Sequence, residues 1–443
     1  MNSADREALA KKIIEYSKAD QTEVLVGSGD NALTRFTHET SNQNVVVDDT
    51  GLSVRAIVDG RTGVAQTNRR DDASLRDVVA RAVDMAKLAP KDPNSPELPR
   101  GGASAAPPGA YDEATAGASA GLRAQLCDAV FRAAEGSGYW SAGYASTSAG
   151  GITIANTSGA VASFDGTDAA ISVKMSGADS TGFAEAHANA VGSIDAGAVG
   201  AAAAEKVRLS ASPRSVEPGE WTVILETAAL GELLSYITPH LSAQSYEEGS
   251  SFCSDGLDRK YFSENFSLKD DYANPLSPGM PFDYEGQPTM RLPLIENGVV
   301  KNIVTDSYYA KRLDRPNTGH ALPAPNAFGP YPRHLVLASG TKSFEQLIAE
   351  TKRGLLITRF WYIRTVDQKK AIVTGMTRDG TFLIENGKIA GGVRNLRFNQ
   401  SIIEALEACE FADTQSRTGG YSYSLVAPAA KIERFNFTST TEF

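Results

Sequence analysis

The sequence predicts an α+β protein: antiparallel sheets with helices in two N-terminal units, followed by a larger, β-rich C-terminal domain. Short β-branched runs recur along the chain, divided by Gly, Asp, Asn and Pro, which is the pattern of strands joined by tight turns. Amphipathic segments with apolar residues at three- and four-residue spacing are interspersed among them, as helices require. Between Leu88 and Ala114, Pro90, Pro93, Pro96, Pro99, Pro107 and Pro108 make an extended connection rather than a packed element. A boundary there gives units 1–105 and 106–215, and the strand signal near Trp221 opens a third, 216–443.

Asp5 to Tyr16 reads as a helix that buries Leu9, Ile13, Ile14 and Tyr16. Thr22–Val26, Arg35–Thr37, Asn44–Val47 and Leu52–Val58 read as four short strands of a meander. Ser74 to Leu88 is a helix opened by a Ser74/Asp77 cap pair and buried through Val78, Ala82, Met85 and Ala86. In the second unit, a helix over Leu122–Ala134 precedes strands at Ile152–Ala155, Val161–Phe164 and Ala169–Met175. Turns are expected at Thr157–Gly159 and Asp165–Gly166. An Ala-rich helix, Ile194–Leu209, closes this unit.

The third unit begins with a buried strand, Trp221–Glu226, and a helix whose apolar face is Leu230, Leu233, Leu234 and Ile237. Pro239 removes a backbone donor and crowds the carbonyl of Ser235, so the helix kinks or stops beside His240. LIENGVVKN (Leu294–Asn302) and LIENGKIAG (Leu383–Gly391) each set Asn-Gly between apolar runs, a strong hairpin signal. Helices are expected at Asp306–Leu313, at Ser343–Lys352 with a Ser343/Gln346 capping box, and at Asn399–Glu410. Arg378–Thr381 reads as a hairpin turn.

The 53 acidic and 43 basic side chains leave a net charge of −10, which opposes binding to a phosphate backbone and argues against a nucleic-acid partner. Cys127, Cys253 and Cys409 lack metal or redox spacing, as in a reducing compartment. With neither an apolar signal core at the start nor a long apolar run, the expectation is a cytoplasmic protein without a membrane partner.

Three stretches carry a resemblance. VILETAALGELLSYITPH, TRFTHETSNQNVVVDDTGLSVRAIVDGRTGVAQTN and, most specifically, TVDQKKAIVTGMTRDGTFLIENGKIAGGVRNLRFNQSIIEAL resemble the TldD/PmbA family, and together they touch all three units. The TldD branch carries a zinc-binding HExxxH in a sequence like LLHEAVGH. Laid over that pattern, Ser235 falls on the first His, Tyr236 on the Glu and His240 on the last His. A hydroxymethyl and a phenol supply neither the imidazole nor the carboxylate that zinc hydrolysis needs. The family's C-terminal Cys ligand falls near Gly420 and Tyr421. The chain therefore resembles the PmbA, or TldE, branch.

That resemblance implies a non-catalytic subunit of a cytoplasmic TldD/TldE-type metallopeptidase system, acting on unfolded or small peptides. It would complete the chamber of a TldD-like partner in which the zinc is expected, with no cofactor of its own, or pair with a second copy of itself. Two alternatives stay open: a self-sufficient hydrolase with an atypical site, and a peptide-binding or scaffold protein without a peptidase partner. Arg378, Asp379 and Tyr421 are candidates for a substrate groove. A Ser235–His240 nucleophile and base, oriented by Asp255 or Asp258, has no diagnostic spacing. His38, His187, His320 and His334 read as structural or surface residues.

Overall fold

A computed structural model describes residues 1–102, 105–419 and 423–441. Strands β1 (Gln21–Thr37), β2 (Thr40–Val58), β3 (Arg61–Thr67), β4 (Trp140–Asn156), β5 (Val161–Ser176) and β6 (Thr181–Ala188) form one antiparallel sheet in the order β3-β2-β1-β4-β5-β6. Both N-terminal stretches contribute to it, since β1 pairs with β4 from Glu23 opposite Asn156 to Thr37 opposite Ala142. Each nevertheless keeps its own core. Helices α1 (Ser3–Glu15) and α2 (Asp72–Leu88) set Ala10, Ile13, Val78 and Ala82 against Val24, Val26, Leu52 and Val54. Helices Ala120–Ala134 and Ala196–Leu209 set Cys127, Val130, Ala203 and Val207 against Phe36, Ala145, Ile171 and Val173.

Several local expectations give way to longer-range pairing. The four short strands of the first unit are two long ones, β1 and β2, because their backbones pair along the whole length, from Gln21 opposite Ile57 to Thr37 opposite Thr40, and carry Gly27 opposite Gly51 and Asp30 opposite Asp48 within the ladder. A Cβ on Gly29 would lie 2.6 Å from the Ala149 carbonyl oxygen, so that residue permits close strand approach instead of ending the strand. Asp165 and Gly166 run through β5 rather than turning, and the buried guanidinium of Arg6 on α1 holds Asp165 at 2.6 Å. The cap of α2 is Asp71, which accepts from the Ser74 N–H, and Met85 is exposed. The helix expected over Asn399–Glu410 is divided among strand Leu396–Ser401, a short helix Ile402–Leu406 and strand Cys409–Thr418, because strand partners on both sides claim the backbone.

In the C-terminal part, β7 (Gly219–Leu225) pairs in parallel with Arg353–Asp367 and antiparallel with Ser424–Thr440. The sequence of pairings from Arg353–Asp367 through Ile372–Glu385 and Leu396–Ser401 back to Ser424–Thr440 closes the ladder on itself. Phe360, Phe398 and Phe435 from three of these strands cluster with ring centroids 4.8 to 5.6 Å apart. Both Asn-Gly pairs have positive φ at both residues, as the expected hairpins require. The Ser343/Gln346 capping box is present. The two halves are pinned together by Arg55 of β2, whose guanidinium lies 2.7 Å from Glu23 and 3.0 Å from Glu285.

Candidate functional site

The helix that follows β7 runs Thr227–Leu234 and buries Leu230, Leu233 and Leu234 in the C-terminal core. It stops there. The chain then passes into a short 3-10 turn, Thr238–Leu241, with Pro239 in its first positions. Ser235, at the helix end, donates from its hydroxyl to the Glu232 carbonyl at 2.7 Å. The Tyr236 hydroxyl donates to the Ile363 carbonyl at 2.8 Å. His240 is buried, its ring 5.3 Å from that of Phe252 and its Nδ1 accepting from the Phe252 N–H at 3.4 Å. Burial pushes its pKa down to about 4, so the imidazole is neutral at pH 7.

These three side chains do not fit a zinc ion, because a hydroxyl and a phenol each serve a backbone carbonyl and the imidazole lies against Phe252. Among the described residues no group of three or more His, Cys, Asp or Glu side chains is placed to hold a metal ion. Nor does the geometry assemble a Ser235–His240 nucleophile: Asp255 lies 3.4 Å from Lys369 and Asp258 lies 2.8 Å from Lys301.

The expected turn at Arg378–Thr381 lies inside strand Ile372–Glu385. Asp379 at φ 52 and Gly380 at φ 131 shift the register of its ladder. Asp379 is buried between Arg359 and Lys174, the latter 3.2 Å away on β5. Burial works against its ionisation, but the two cations outweigh it and hold the carboxyl below its ordinary range. It thus joins the two halves of the chain. Arg378 sits over the Trp361 ring at 5.1 Å. Tyr421 and Gly420 lie outside the described residues.

Where the edge strand β6 meets strand Cys409–Thr418, a cleft of about 840 Å³ opens between the halves. Phe183, Glu185 and His187 line it from β6, Lys206 and Glu226 from one flank, and Arg417 and Thr418 from the far wall. His187 is therefore not a surface or turn residue. Its side chain is only 10 % exposed, its Nε2 lies 3.6 Å from Glu185, and its Nδ1 has no hydrogen-bond partner. Burial opposes ionisation of Glu185, but His187, the Thr418 hydroxyl at 3.3 Å and Arg359 together hold its carboxyl below the usual value. Lys206 is matched by Glu226 at 2.6 Å, and Arg417 by Asp168 and by the Asn189 carbonyl oxygen of the side chain at 2.7 Å.

Glu232, one turn before Ser235, accepts from the Phe360 N–H at 2.6 Å. Burial pushes its carboxyl up to about 7. In the cleft Glu185 and His187 offer a carboxylate and an imidazole with a free nitrogen, a pair able to bind a polar ligand and exchange protons with it. The alternation in FAEAHA, which puts Glu185 and His187 on one face of a strand, was the available signal. Nothing in the sequence, however, says that this strand is an edge beside a cleft.

Residues 218–439 match the family model described as PmbA/TldA metallopeptidase C-terminal domain, and residues 38–86 match that of PmbA/TldA metallopeptidase domain 1. The Metalloprotease PmbA homolog of Haemophilus influenzae is 29 % identical over 194 residues, covering 43 % of this chain and 40 % of that protein. The Metalloprotease TldD homolog of Buchnera aphidicola from Acyrthosiphon pisum is 26 % identical over 203 residues, covering 45 % and 42 %. The aligned stretch thus spans less than half the length of these curated relatives. TldE from Thermococcus kodakarensis superposes with a TM-score of 0.89 over 98 % of this chain and 99 % of that one, at 21 % identity, and so has the same fold.

Proposed function

The chain belongs to the PmbA/TldD metallopeptidase family, and we propose that it is a TldE-like, non-catalytic subunit that completes the peptide chamber of a zinc-bearing TldD-like partner in the cytoplasm. One observation supports this above the others. The positions where a TldD subunit has its HExxxH are turned to internal structure here: Ser235 and Tyr236 are spent on backbone carbonyls and His240 on packing. Zinc hydrolysis needs imidazole ligands and a carboxylate beside the metal-bound water. With those side chains otherwise engaged, the metal and its chemistry fall to the partner. The cleft beside β6 then contributes wall and polar contacts for an unfolded or small peptide.

A second reading, a self-sufficient hydrolase with an atypical site, is favoured by the same cleft, where His187 Nε2 lies 3.6 Å from the Glu185 carboxylate. Reconstitution from separately purified subunits distinguishes the two. The mixed complex should cleave peptides, each subunit alone should be far weaker, and His240→Ala in this chain should leave the complex active. Cleavage by this chain alone, abolished by Glu185→Gln or His187→Ala, would establish the second reading. If the partner alone is fully active and this chain neither binds nor stimulates it, the subunit reading fails in favour of a scaffold or peptide-binding role.

A further inference from the structure

A cavity of about 580 Å³ lies between Thr62–Val64 of β3 and the start of the helix Ser307–Leu313, and it shares no residue with the cleft beside β6. Glu285 and Asp306, only 5 % and 8 % exposed, line it together with Arg55. The Glu285 carboxylate is fully used, since Oε1 faces Arg55 at 3.0 Å and Oε2 accepts from the Ser307 N–H at 3.1 Å. Asp306 is not. Its Oδ1 accepts from the Tyr309 N–H at 2.8 Å, but among the described residues its Oδ2 has neither a hydrogen-bond nor an ion-pair partner. A carboxylate oxygen left unpartnered at such burial is costly and calls for a donor. Arg55 cannot supply one, because it already serves Glu23 at 2.7 Å as well as Glu285. Lys311, on the same helix as Tyr309, is committed to the Ser95 carbonyl at 2.7 Å. Three carboxyls thus share one guanidinium. Burial, with Glu285 beside it, pushes Asp306 up to about 6, and burial pushes Glu23 up to about 7, so near neutral pH the cluster is partly protonated where a second cation would complete its charge.

We propose that this cavity binds an organic cation, a primary amine or guanidine on a short aliphatic body, whose N–H groups donate to Asp306 Oδ2. The walls suit both parts of such a ligand. Met85, Pro96 and Leu322 offer apolar surface to the aliphatic body, and the Tyr308 and Tyr309 rings line the same space as the carboxylates, where an aromatic face attracts a cation. The volume falls within the range of small-molecule sites. A metal ion is a poor occupant, because one free carboxylate oxygen is far short of a coordination shell and no group of three ligating side chains is placed to hold one among the described residues. The cation is either a free amine or the side chain of a lysine or arginine in a peptide, since both present the same head group. The inference stands on residues outside the cleft beside β6 and does not rest on the peptidase reading.

Four ligands with one aliphatic body and different head groups test it by titration calorimetry on the purified full chain at about pH 6. Butylamine and butylguanidine should bind about tenfold or more tightly than 1-butanol or butyrate, the margin of a charge-assisted hydrogen bond. Their binding heat should differ between buffers of different ionisation enthalpy, because the cation displaces carboxyl protons. Asp306→Asn keeps a good helix cap and removes the charge, so it should weaken butylamine by about tenfold or more with the circular dichroism spectrum unchanged. Val64→Trp, which fills the cavity from β3, should abolish binding, and Glu185→Gln in the other cleft should leave it intact. An acetylated, amidated Gly-Gly-Lys-Gly-Gly peptide that competes with butylamine would identify a lysine side chain as the occupant, and one that does not compete would identify a free amine. Equal affinity for butylamine and 1-butanol, a heat independent of buffer, indifference to Asp306→Asn or to Val64→Trp, or loss of amine binding in Glu185→Gln would each overturn the proposal. If Asp306→Asn does not fold, the head-group series and Val64→Trp decide it.

Discussion

Replacing Ser235 with His and Tyr236 with Glu restores in sequence the missing part of HExxxH, and the geometry indicates that it will not restore a peptidase. The double variant loses the bonds from Ser235 to the Glu232 carbonyl and from Tyr236 to the Ile363 carbonyl, at 2.7 and 2.8 Å. Each is worth about 0.5–1.5 kcal/mol. The Tyr236 ring, packed at the margin of the main core, adds about 1 kcal/mol of lost apolar burial. Together the cost comes to about 2–4 kcal/mol. Nothing repays it as metal affinity, because the helix ends at Leu234 and the 3-10 turn carries His240 against Phe252, away from a shared ligand position. Metal sites tolerate only about 0.5 Å of misplacement. Urea unfolding followed by tryptophan fluorescence should show a folded but less stable protein. A fluorogenic peptide should be cleaved no faster than by the parent, with or without zinc. Robust cleavage by the double variant that a chelator abolishes would refute the argument that this local geometry cannot hold a catalytic zinc.

Two further outcomes follow from buried charge. Arg55→Ala strands the buried carboxyls of Glu23 and Glu285, and breaking such a pair costs about 3–5 kcal/mol. Burial already raises Glu23 to about 7, so the native state holds a proton that the unfolded chain has lost, and stability falls as pH rises from the ordinary carboxylate range through 7. Without Arg55 the fall should steepen, making the deficit larger at pH 8 than at pH 5 in urea titrations; a pH-independent deficit would contradict the assignment. Glu232→Gln keeps an acceptor for the Phe360 N–H but removes a carboxyl that burial raises to about 7. By the same sign, the variant should gain stability over the parent as pH rises through that range, by on the order of 2–3 kcal/mol at most. An unchanged difference between pH 5 and pH 8 would show that water reaches the carboxyl freely.

The candidate site was legible in part. The strand and helix that begin at Trp221, with their buried Leu230, Leu233 and Leu234, could be read because a 3.6-residue period is a local property, whereas the helix ends at Leu234 and not at Pro239, which opens the 3-10 turn instead. The losses at Ser235 and Tyr236 could be read from residue identity alone. Arg378 and Asp379 were legible as charged residues at a backbone irregularity, but not as an anchor and a stacked cation, since Lys174, Arg359 and Trp361 come from other strands. Glu185 and His187 looked bland because their neighbours Thr418, Arg417 and Glu226 lie far away in the chain.

By itself the sequence determined the α+β class, the Ser343/Gln346 capping box, the Asn-Gly hairpins and the absence of an intact zinc motif, all of which depend on the backbone preferences and side-chain chemistry of residues a few positions apart. Only the tertiary structure decided that Gly27, Gly51, Asp165 and Gly166 lie within strands, that both N-terminal stretches share one sheet, and that β6 borders a cleft. The physical reason is that strand pairing joins residues far apart in sequence. A partner across the ladder can offset a poor local propensity, and a side chain acquires its chemical role from whatever that pairing brings beside it.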